Sequence, residues 1–235
     1  MSHFWGPLYD GGYVYGYDKK PTGKTAENGA DISFGGWAYQ ALKAVKSTGL
    51  EVDGMDECIK NSISHLKGLS KKSFPYHAKG RDNVKNYSLM AVGTLCLQLF
   101  DSAEGFKETD RMMDIIKVNA NQTLDWDNPP KQAMYSWYYQ TFASFQNGGD
   151  HWKVWNNKFQ SLLKKNQNPE GFWEYPGNKM PHSDLTRRVH ATTFACLMLT
   201  VYYRYLPSTS KKHKALKAKA VPKKAVMKEE TVDIF

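Results

Sequence analysis

Apolar positions recur along this chain in two helical patterns that alternate. In one pattern the apolar residues are spread around the whole helix, as in residues 134–145. In the other they form a single stripe at spacings of three and four, as do Trp152, Trp155, Phe159 and Leu162. A helix that is apolar on every side is surrounded by protein, whereas a striped helix keeps one face in water. We call the two types inner helices and outer helices.

The alternation predicts four inner and three outer helices. The inner helices are expected at about residues 32–48, 84–100, 134–147 and 188–206, while the outer helices follow Asp53, span about 109–119 and begin at Asp150. Turns rich in glycine and aromatic residues precede three of the inner helices. A period of about 50 residues with two helices per unit is typical of α/α repeat proteins. The predicted fold class is therefore all-α.

Length and charge predict one domain followed by a basic tail. A chain of 235 residues with 41% hydrophobic content can bury a core. We expect one α/α repeat domain over residues 1–207 and a disordered, Lys/Ala-rich tail over residues 208–235. Eight lysines against three acidic residues place about +5 of the +9 net charge on this tail. A specific nucleic-acid partner is not expected, and contact between the tail and a membrane surface is an alternative.

Localisation, cysteine usage and motifs restrict the chemistry. No apolar run is long enough to span a membrane and no signal pattern opens the chain, so we expect a cytoplasmic protein unless the chain is a piece of a longer one.

Cys58, Cys96 and Cys196 lie far apart within apolar helical patterns, which predicts reduced core residues. Dinucleotide-binding, Walker, HExxH and nucleophile-elbow motifs are missing. We therefore expect no cofactor and no metal.

One segment resembles a motif of a known family. Residues 167–173, Gln-Asn-Pro-Glu-Gly-Phe-Trp, place a glutamine near the end of a predicted outer helix and follow it with Gly-x-Trp. This sequence resembles the QW motif of squalene–hopene cyclases and oxidosqualene cyclases. The alternating helices and glycine–aromatic turns are similar to those of bacterial squalene-cyclase-like repeat proteins over most of residues 10–207.

The resemblance implies a particular architecture. Inner and outer helical hairpins would form an α/α toroid-like arc, with the inner helices on the concave side. Gln167, Gly171 and Trp173 would link one repeat to the next, with the glutamine amide bonded to free carbonyls at the helix end or lying on an indole face. Related toroids have more helix pairs, so seven helices imply a partial ring or a piece of a longer chain. A partial ring exposes apolar edges, from which we expect self-association or a partner domain.

The resemblance also bears on catalysis. In the related cyclases, an Asp-x-Asp-Asp at the start of an inner helix protonates the substrate. The matching residues 83–86 read Asn-Val-Lys-Asn, which argues against this chemistry here. Protein prenyltransferase β subunits share the fold and hold zinc with Asp, Cys and His. His190 matches their histidine, but no Asp-x-Cys accompanies it, so a zinc site is not expected.

Two functions are compatible with these features. The first is a divergent terpenoid cyclase- or prenyltransferase-like protein that binds an apolar or isoprenoid-type ligand at the inner-helix face. If active, it would be a terpene cyclase-like isomerase or lyase, or an enzyme acting on prenyl substrates. The second is a non-catalytic protein-interaction or scaffold module, in which the aromatic residues form the core.

The first function assigns roles to particular residues. Asp31, Asp184 and His190 are the candidate catalytic groups, although His190 is also compatible with a helix-start histidine satisfied by its neighbours. Helix dipoles at the inner-helix starts favour anionic ligands such as diphosphates. The candidate ligand-binding residues are aromatic or basic: Trp37, Tyr39, Lys85, Tyr87, Trp137, Tyr138, Arg187 and Arg188.

Overall fold

The computed structural model describes residues 11–14, 29–70, 72–81, 83–178 and 184–204. In this part of the chain the protein is all-helical, and only isolated backbone bridges, Asp31 to His77 and Gln167 to Trp173, have β geometry. The helices are α1 (Ile32–Ser47), α2 (Met55–Leu69), α3 (Tyr87–Leu99), α4 (Lys107–Thr123), α5 (Ala133–Asn147), α6 (Gly149–Lys165), α7 (Asp184–Leu199) and the short α8 (Val201–Arg204), with a 3-10 turn at Pro176–Asn178. The predicted all-α class is confirmed. The predicted tail from residue 208 lies outside the described residues.

The long helices pack in two layers. Helices α1, α3, α5 and α7 form an inner row in which each helix packs against the next. Helices α2, α4 and α6 lie against this row as an outer layer, and α4 also contacts α6. The most extensive packing joins α3 to α5. The predicted alternation of four inner and three outer helices is confirmed for the described residues.

Helix α3 shows why the inner row forms the core. Every residue from Leu89 to Leu99 is buried, because neighbouring elements cover the helix on all sides. The absence of a side chain at Gly93 allows one of these neighbours to approach closely. A Cβ atom at this position would lie 2.3 Å from the ring of Phe74, which is itself fully buried.

Helix α6 shows the opposite, striped pattern. Trp155, Phe159 and Leu163 are buried against the inner row, whereas Lys153 and Lys164 are exposed. The indole nitrogen of Trp155 also has a hydrogen-bond partner, since Nε1 donates to Thr141 Oγ1 of α5 at 2.9 Å. The predicted solvent-facing layer is confirmed here.

The helix boundaries differ from the predictions where local backbone geometry decides them. Helix α2 begins after Gly54, which has a positive φ of 76°, so Asp53 is not its N-cap. Helix α3 begins after Asn86, whose side chain accepts a hydrogen bond from the Leu89 N–H, rather than near Val84. Helix α4 is longer than predicted at both ends, and α7 begins earlier than predicted, at Asp184.

The cysteine prediction is wrong at one of three positions. Cys58 and Cys96 are buried, as expected, but Cys196 is exposed on α7. The reason is that α7 ends the inner row among the described residues, so the face turned away from α5 has no neighbouring helix there. Within the same residues, no helix combines the length and apolar character needed to cross a membrane.

Candidate ligand-binding face

The inner helices run parallel, so their starts gather at one end of the inner row. Near the starts of α5 and α1, the Tyr135 hydroxyl donates to the Ser33 carbonyl at 3.3 Å. Near the ends of α3 and α5, Gln98 Nε2 donates to the Ala143 carbonyl at 3.2 Å. The starts of α1, α3 and α5 therefore lie at the same end of the inner row.

A row of contacting rings crosses the inner helices. Trp37 of α1 stacks on Tyr138 of α5, with 5.4 Å between the ring centroids and 23° between the planes. Tyr138 meets Phe194 of α7 edge-on at 5.6 Å, Phe194 contacts His190 at 4.8 Å, and Tyr175 lies 5.6 Å from His190. We call these five residues the aromatic row. Trp37 is 39% exposed and Phe194 and His190 are half-buried, whereas Tyr138 and Tyr175 are buried, so the row is accessible from solvent only in part.

Neutral hydroxyl groups support the aromatic row. The Tyr138 hydroxyl donates to Gln40 Oε1 at 2.8 Å, and Gln40 Nε2 donates to the hydroxyl oxygen of Tyr139 at 3.2 Å. Burial raises the pKa of Tyr139 far above its ordinary value. The Tyr139 hydroxyl is thus protonated near neutral pH, and in this structure it acts as a hydrogen-bonding group.

Protein groups already cap the starts of the inner helices. The Asn86 side chain caps α3, and the backbone N–H groups of Ala133 and Met134 at the start of α5 donate to the Tyr175 hydroxyl. Burial raises the pKa of Tyr175, although these two hydrogen bonds act in the opposite direction. Some of the N–H groups that would bind a diphosphate are therefore already engaged at these helices.

Asp31 is the N-cap of α1, a role that the sequence analysis did not assign to it. Its Oδ1 accepts hydrogen bonds from the Ser33 N–H at 2.8 Å, the Ser33 hydroxyl at 2.6 Å and the Phe34 N–H at 3.4 Å. Such contacts are those of a capping aspartate. The carboxylate is buried and accepts from the helix start, which shows a capping role for Asp31, while its role as a catalytic acid stays a prediction.

Two predicted ligand-binding aromatics lie in the core between the layers instead. Tyr39 donates its hydroxyl to the Gly11 carbonyl at 2.9 Å and meets Tyr13 edge-on. Trp137 donates Nε1 to the Thr123 carbonyl at the end of α4, at 2.7 Å. Both side chains are almost fully buried. The sequence pattern could not separate them from Trp37 and Tyr138, since α1 and α5 carry aromatic residues on more than one side.

The predicted polar and basic residues are dispersed. Arg188 forms an exposed ion pair with Glu174, with 2.6 Å between Nε and Oε1, and its guanidinium lies 4.8 Å from the Phe172 ring centroid. Lys85 is exposed before α3, and Tyr87 is half-buried as the first residue of that helix. Arg187 is half-buried in the first turn of α7, which Asp184 opens. The structure therefore places Arg188 with the QW segment rather than with the aromatic row.

The QW segment joins α6 to α7, but not through the predicted group. Trp173 is buried, its Nε1 donates to the Leu163 carbonyl in the last turn of α6 at 2.9 Å, and its backbone N–H donates to Thr192 Oγ1 of α7 at 3.1 Å. Gln167 is exposed, and its amide donates to the Gly171 carbonyl within the loop at 3.0 Å. The predicted link between repeats is observed, and the indole makes the bond to the helix-end carbonyl that was expected of the glutamine.

Two members of the aromatic row were not among the predicted site residues. Phe194 follows His190 by one helical turn, so the i, i+4 spacing was the available signal. Tyr175 follows Trp173 in an aromatic-x-aromatic pair, the pattern that also precedes α3. Among the described residues, no group of three His, Cys, Asp or Glu side chains is placed to hold a metal ion.

Comparison with protein-family models, with curated proteins and with solved structures finds no match to this chain. The function is therefore inferred from the geometry of the aromatic row and its surroundings.

Proposed function

We propose that this protein is a divergent α/α toroid-like protein, related to terpenoid cyclases and prenyltransferases, that binds an apolar, isoprenoid-type ligand along the aromatic row. The supporting observation is the continuous contact of five rings across α1, α5 and α7, with Trp37 left 39% exposed at one end. Ring faces bury hydrocarbon at a gain of roughly 25 cal/mol per Å² of apolar surface removed from water. A polyisoprenoid chain offers such surface.

The proposed activity is binding without cyclisation. The acid motif of the related cyclases is replaced by Asn-Val-Lys-Asn at residues 83–86, and the carboxylate of Asp31 serves as a helix cap. Protein groups also engage two of the N–H groups at the start of α1, one at α3 and two at α5, which leaves fewer of them for a diphosphate. We therefore expect an uncharged isoprenoid to bind at least as tightly as its diphosphate.

Thermal unfolding with ligands tests this proposal. The melting temperature of the unmodified protein should rise with the concentration of squalene or farnesol, because a ligand that binds only the folded state stabilises it. Farnesyl diphosphate should give no larger rise, and a control detergent should give none. A melting temperature that no isoprenoid raises would contradict the proposal.

Matched variants locate the binding. Trp37→Ala removes the exposed end of the aromatic row, and the ligand-induced rise should shrink relative to the variant's own melting temperature. Trp152→Ala removes the same side chain from the outer helix α6, where it contacts Phe145 and Tyr202, and should keep the full rise. An equal rise in both variants would place the ligand elsewhere.

A protein-interaction role is favoured by a separate observation on α7. The face of α7 turned away from α5 carries an uncharged stripe, in which Leu185, Val189 and Leu197 are 72%, 57% and 37% exposed. Exposed apolar residues at helical spacing mark an interaction surface. As the second candidate, we propose that a second copy of the chain or a partner domain covers this stripe.

Sedimentation tests this second candidate. The unmodified protein should form a concentration-dependent dimer or larger species, and Val189→Glu should reduce it to a monomer. Val154→Glu is the control, because Val154 is similarly exposed on the outer helix α6 and its change should leave association intact. A monomer at high concentration would exclude association between copies through α7.

A further inference from the structure

Three polar oxygen atoms on α3 and α5 lack a hydrogen-bond partner among the described residues. They are Thr94 Oγ1, Gln98 Oε1 and Gln140 Oε1, and all three side chains are almost completely buried. A buried polar atom without a partner costs free energy, and folded proteins satisfy nearly all such atoms with protein groups or ordered water. Their occurrence between the two most extensively packed helices therefore requires a physical cause.

The register of the two helices places these residues at one level. Val92 of α3 and Tyr139 of α5 both border Gly36 of α1, since a Cβ atom there would lie 2.8 Å from each side chain. Further along, Gln98 bonds to the Ala143 carbonyl. Residues 92–98 of α3 thus run beside residues 139–143 of α5. The first range includes Thr94 and Gln98, and the second includes Gln140.

The side chains also face one another. Thr94 precedes Gln98 by one turn, so both lie on the side of α3 that contacts α5. Ala143, whose carbonyl accepts from Gln98, follows Gln140 by three positions, so both lie on the side of α5 that contacts α3.

The donors and acceptors here match the requirements of a single water molecule. The amide nitrogen of Gln98 is already bonded to α5, and that of Gln140 donates to the Ser136 hydroxyl at 2.7 Å. Each amide therefore presents an unpaired oxygen, which is an acceptor, whereas the Thr94 hydroxyl can donate. We propose that one ordered water molecule is bound between α3 and α5, accepting from Thr94 and donating to Gln98 and Gln140.

Such a water molecule fixes the pairing of α3 with α5. Apolar contacts alone permit small shifts along a helix, but three hydrogen bonds to one water molecule hold the two helices at one relative height. The inference does not depend on the proposed ligand, because these atoms are enclosed by protein and the aromatic row is partly exposed.

A crystal structure at a resolution that shows ordered water tests the site directly. The expected result is a density peak at hydrogen-bonding distance, roughly 2.7 to 3.2 Å, from all three oxygen atoms. A site without such a peak, or a Gln140 amide turned to bond directly with Thr94, would overturn the proposal.

Melting temperatures of variants give an independent test. Thr94→Val and Gln140→Met should each lower the melting temperature, and the double variant should lose clearly less than the sum, since both changes disrupt the same water molecule. If the site is dry, Thr94→Val should raise the melting temperature by removing an unpaired oxygen, whereas Gln140→Met also removes the bonds to Ser136. Thr141→Val is the control, because Thr141 bonds directly to Trp155 and its effect should add to that of Thr94→Val. A rise, or full additivity between Thr94→Val and Gln140→Met, contradicts a shared water molecule.

Discussion

Glycine residues determine how closely the inner row packs. At Gly36 a Cβ atom would lie 2.8 Å from Val92 and from the Tyr139 hydroxyl, and at Gly93 it would lie 2.3 Å from the Phe74 ring. Each glycine therefore allows another element to approach closer than any larger residue permits. The helical propensity lost at each position is offset by this close packing.

Gly93→Ala should destabilise the protein. The added methyl group meets a fully buried ring that has no room to move, and overpacking of this kind costs about 1–3 kcal/mol of unfolding free energy. Urea unfolding measures the change. Gly68→Ala is the control, because nothing lies within 4 Å of a Cβ atom at Gly68, and it should be neutral or stabilising by up to about 1 kcal/mol. Equal effects of the two changes would contradict the close packing at Gly93.

The capping role of Asp31 predicts a specific order of variants. Asp31→Ala removes the acceptor of three hydrogen bonds and should cost about 0.5–2 kcal/mol of unfolding free energy. Asp31→Asn should be close to the unmodified protein, since asparagine is an equally good cap. Urea unfolding of both variants provides the measurement. If Asn proves as costly as Ala, the negative charge itself is needed and the capping account is wrong.

At the scale of elements, the QW segment illustrates how one loop joins the layers. Trp173 reaches back to the last turn of α6 and is tied to α7 by its backbone, so one residue fixes the angle between an outer helix and the following inner helix. Gly171, two residues before Trp173, has a positive φ of 93°, which permits the turn at that point. The segment therefore has a structural task that needs no ligand.

Trp173→Phe and Gln167→Leu should differ in their effect. Trp173→Phe keeps an aromatic ring but leaves the buried Leu163 carbonyl without its donor, which costs about 1–3 kcal/mol. Gln167→Leu removes an exposed bond within the loop and should change stability by less than about 0.5 kcal/mol. Thermal unfolding of the two variants measures this difference in stability. A larger loss for Gln167→Leu would restore the predicted role of the glutamine.

The elements could be predicted from the sequence more fully than the site. The apolar pattern of residues 84–100 and the stripe of Trp152, Trp155, Phe159 and Leu162 predict an inner and an outer helix, because burial follows from periodicity. The site depends on which side of an inner helix a given aromatic residue occupies. Periodicity does not supply that information when rings surround the helix, so it does not distinguish Tyr39 and Trp137, which lie between the layers, from Trp37 and Tyr138, which lie in the aromatic row.

At the scale of the whole molecule, the protein is a row of inner helices shielded by a layer of outer ones. Helices α3 and α5 lie within the row, with neighbours on both sides, whereas α7 exposes an uncharged stripe. If this row curves, it would form the proposed α/α toroid-like arc. A further helix or a second copy of the chain would then continue the arc at the exposed stripe of α7.

Hydrogen exchange measured by mass spectrometry tests the two-layer arrangement most directly. Amide protection follows local stability, which is greatest where neighbours surround an element. We expect the slowest exchange in α3 and α5, with faster exchange along α2, α4 and α6. Faster exchange in α3 than in α6 would contradict the assignment of α3 to the core and of α6 to the outer layer.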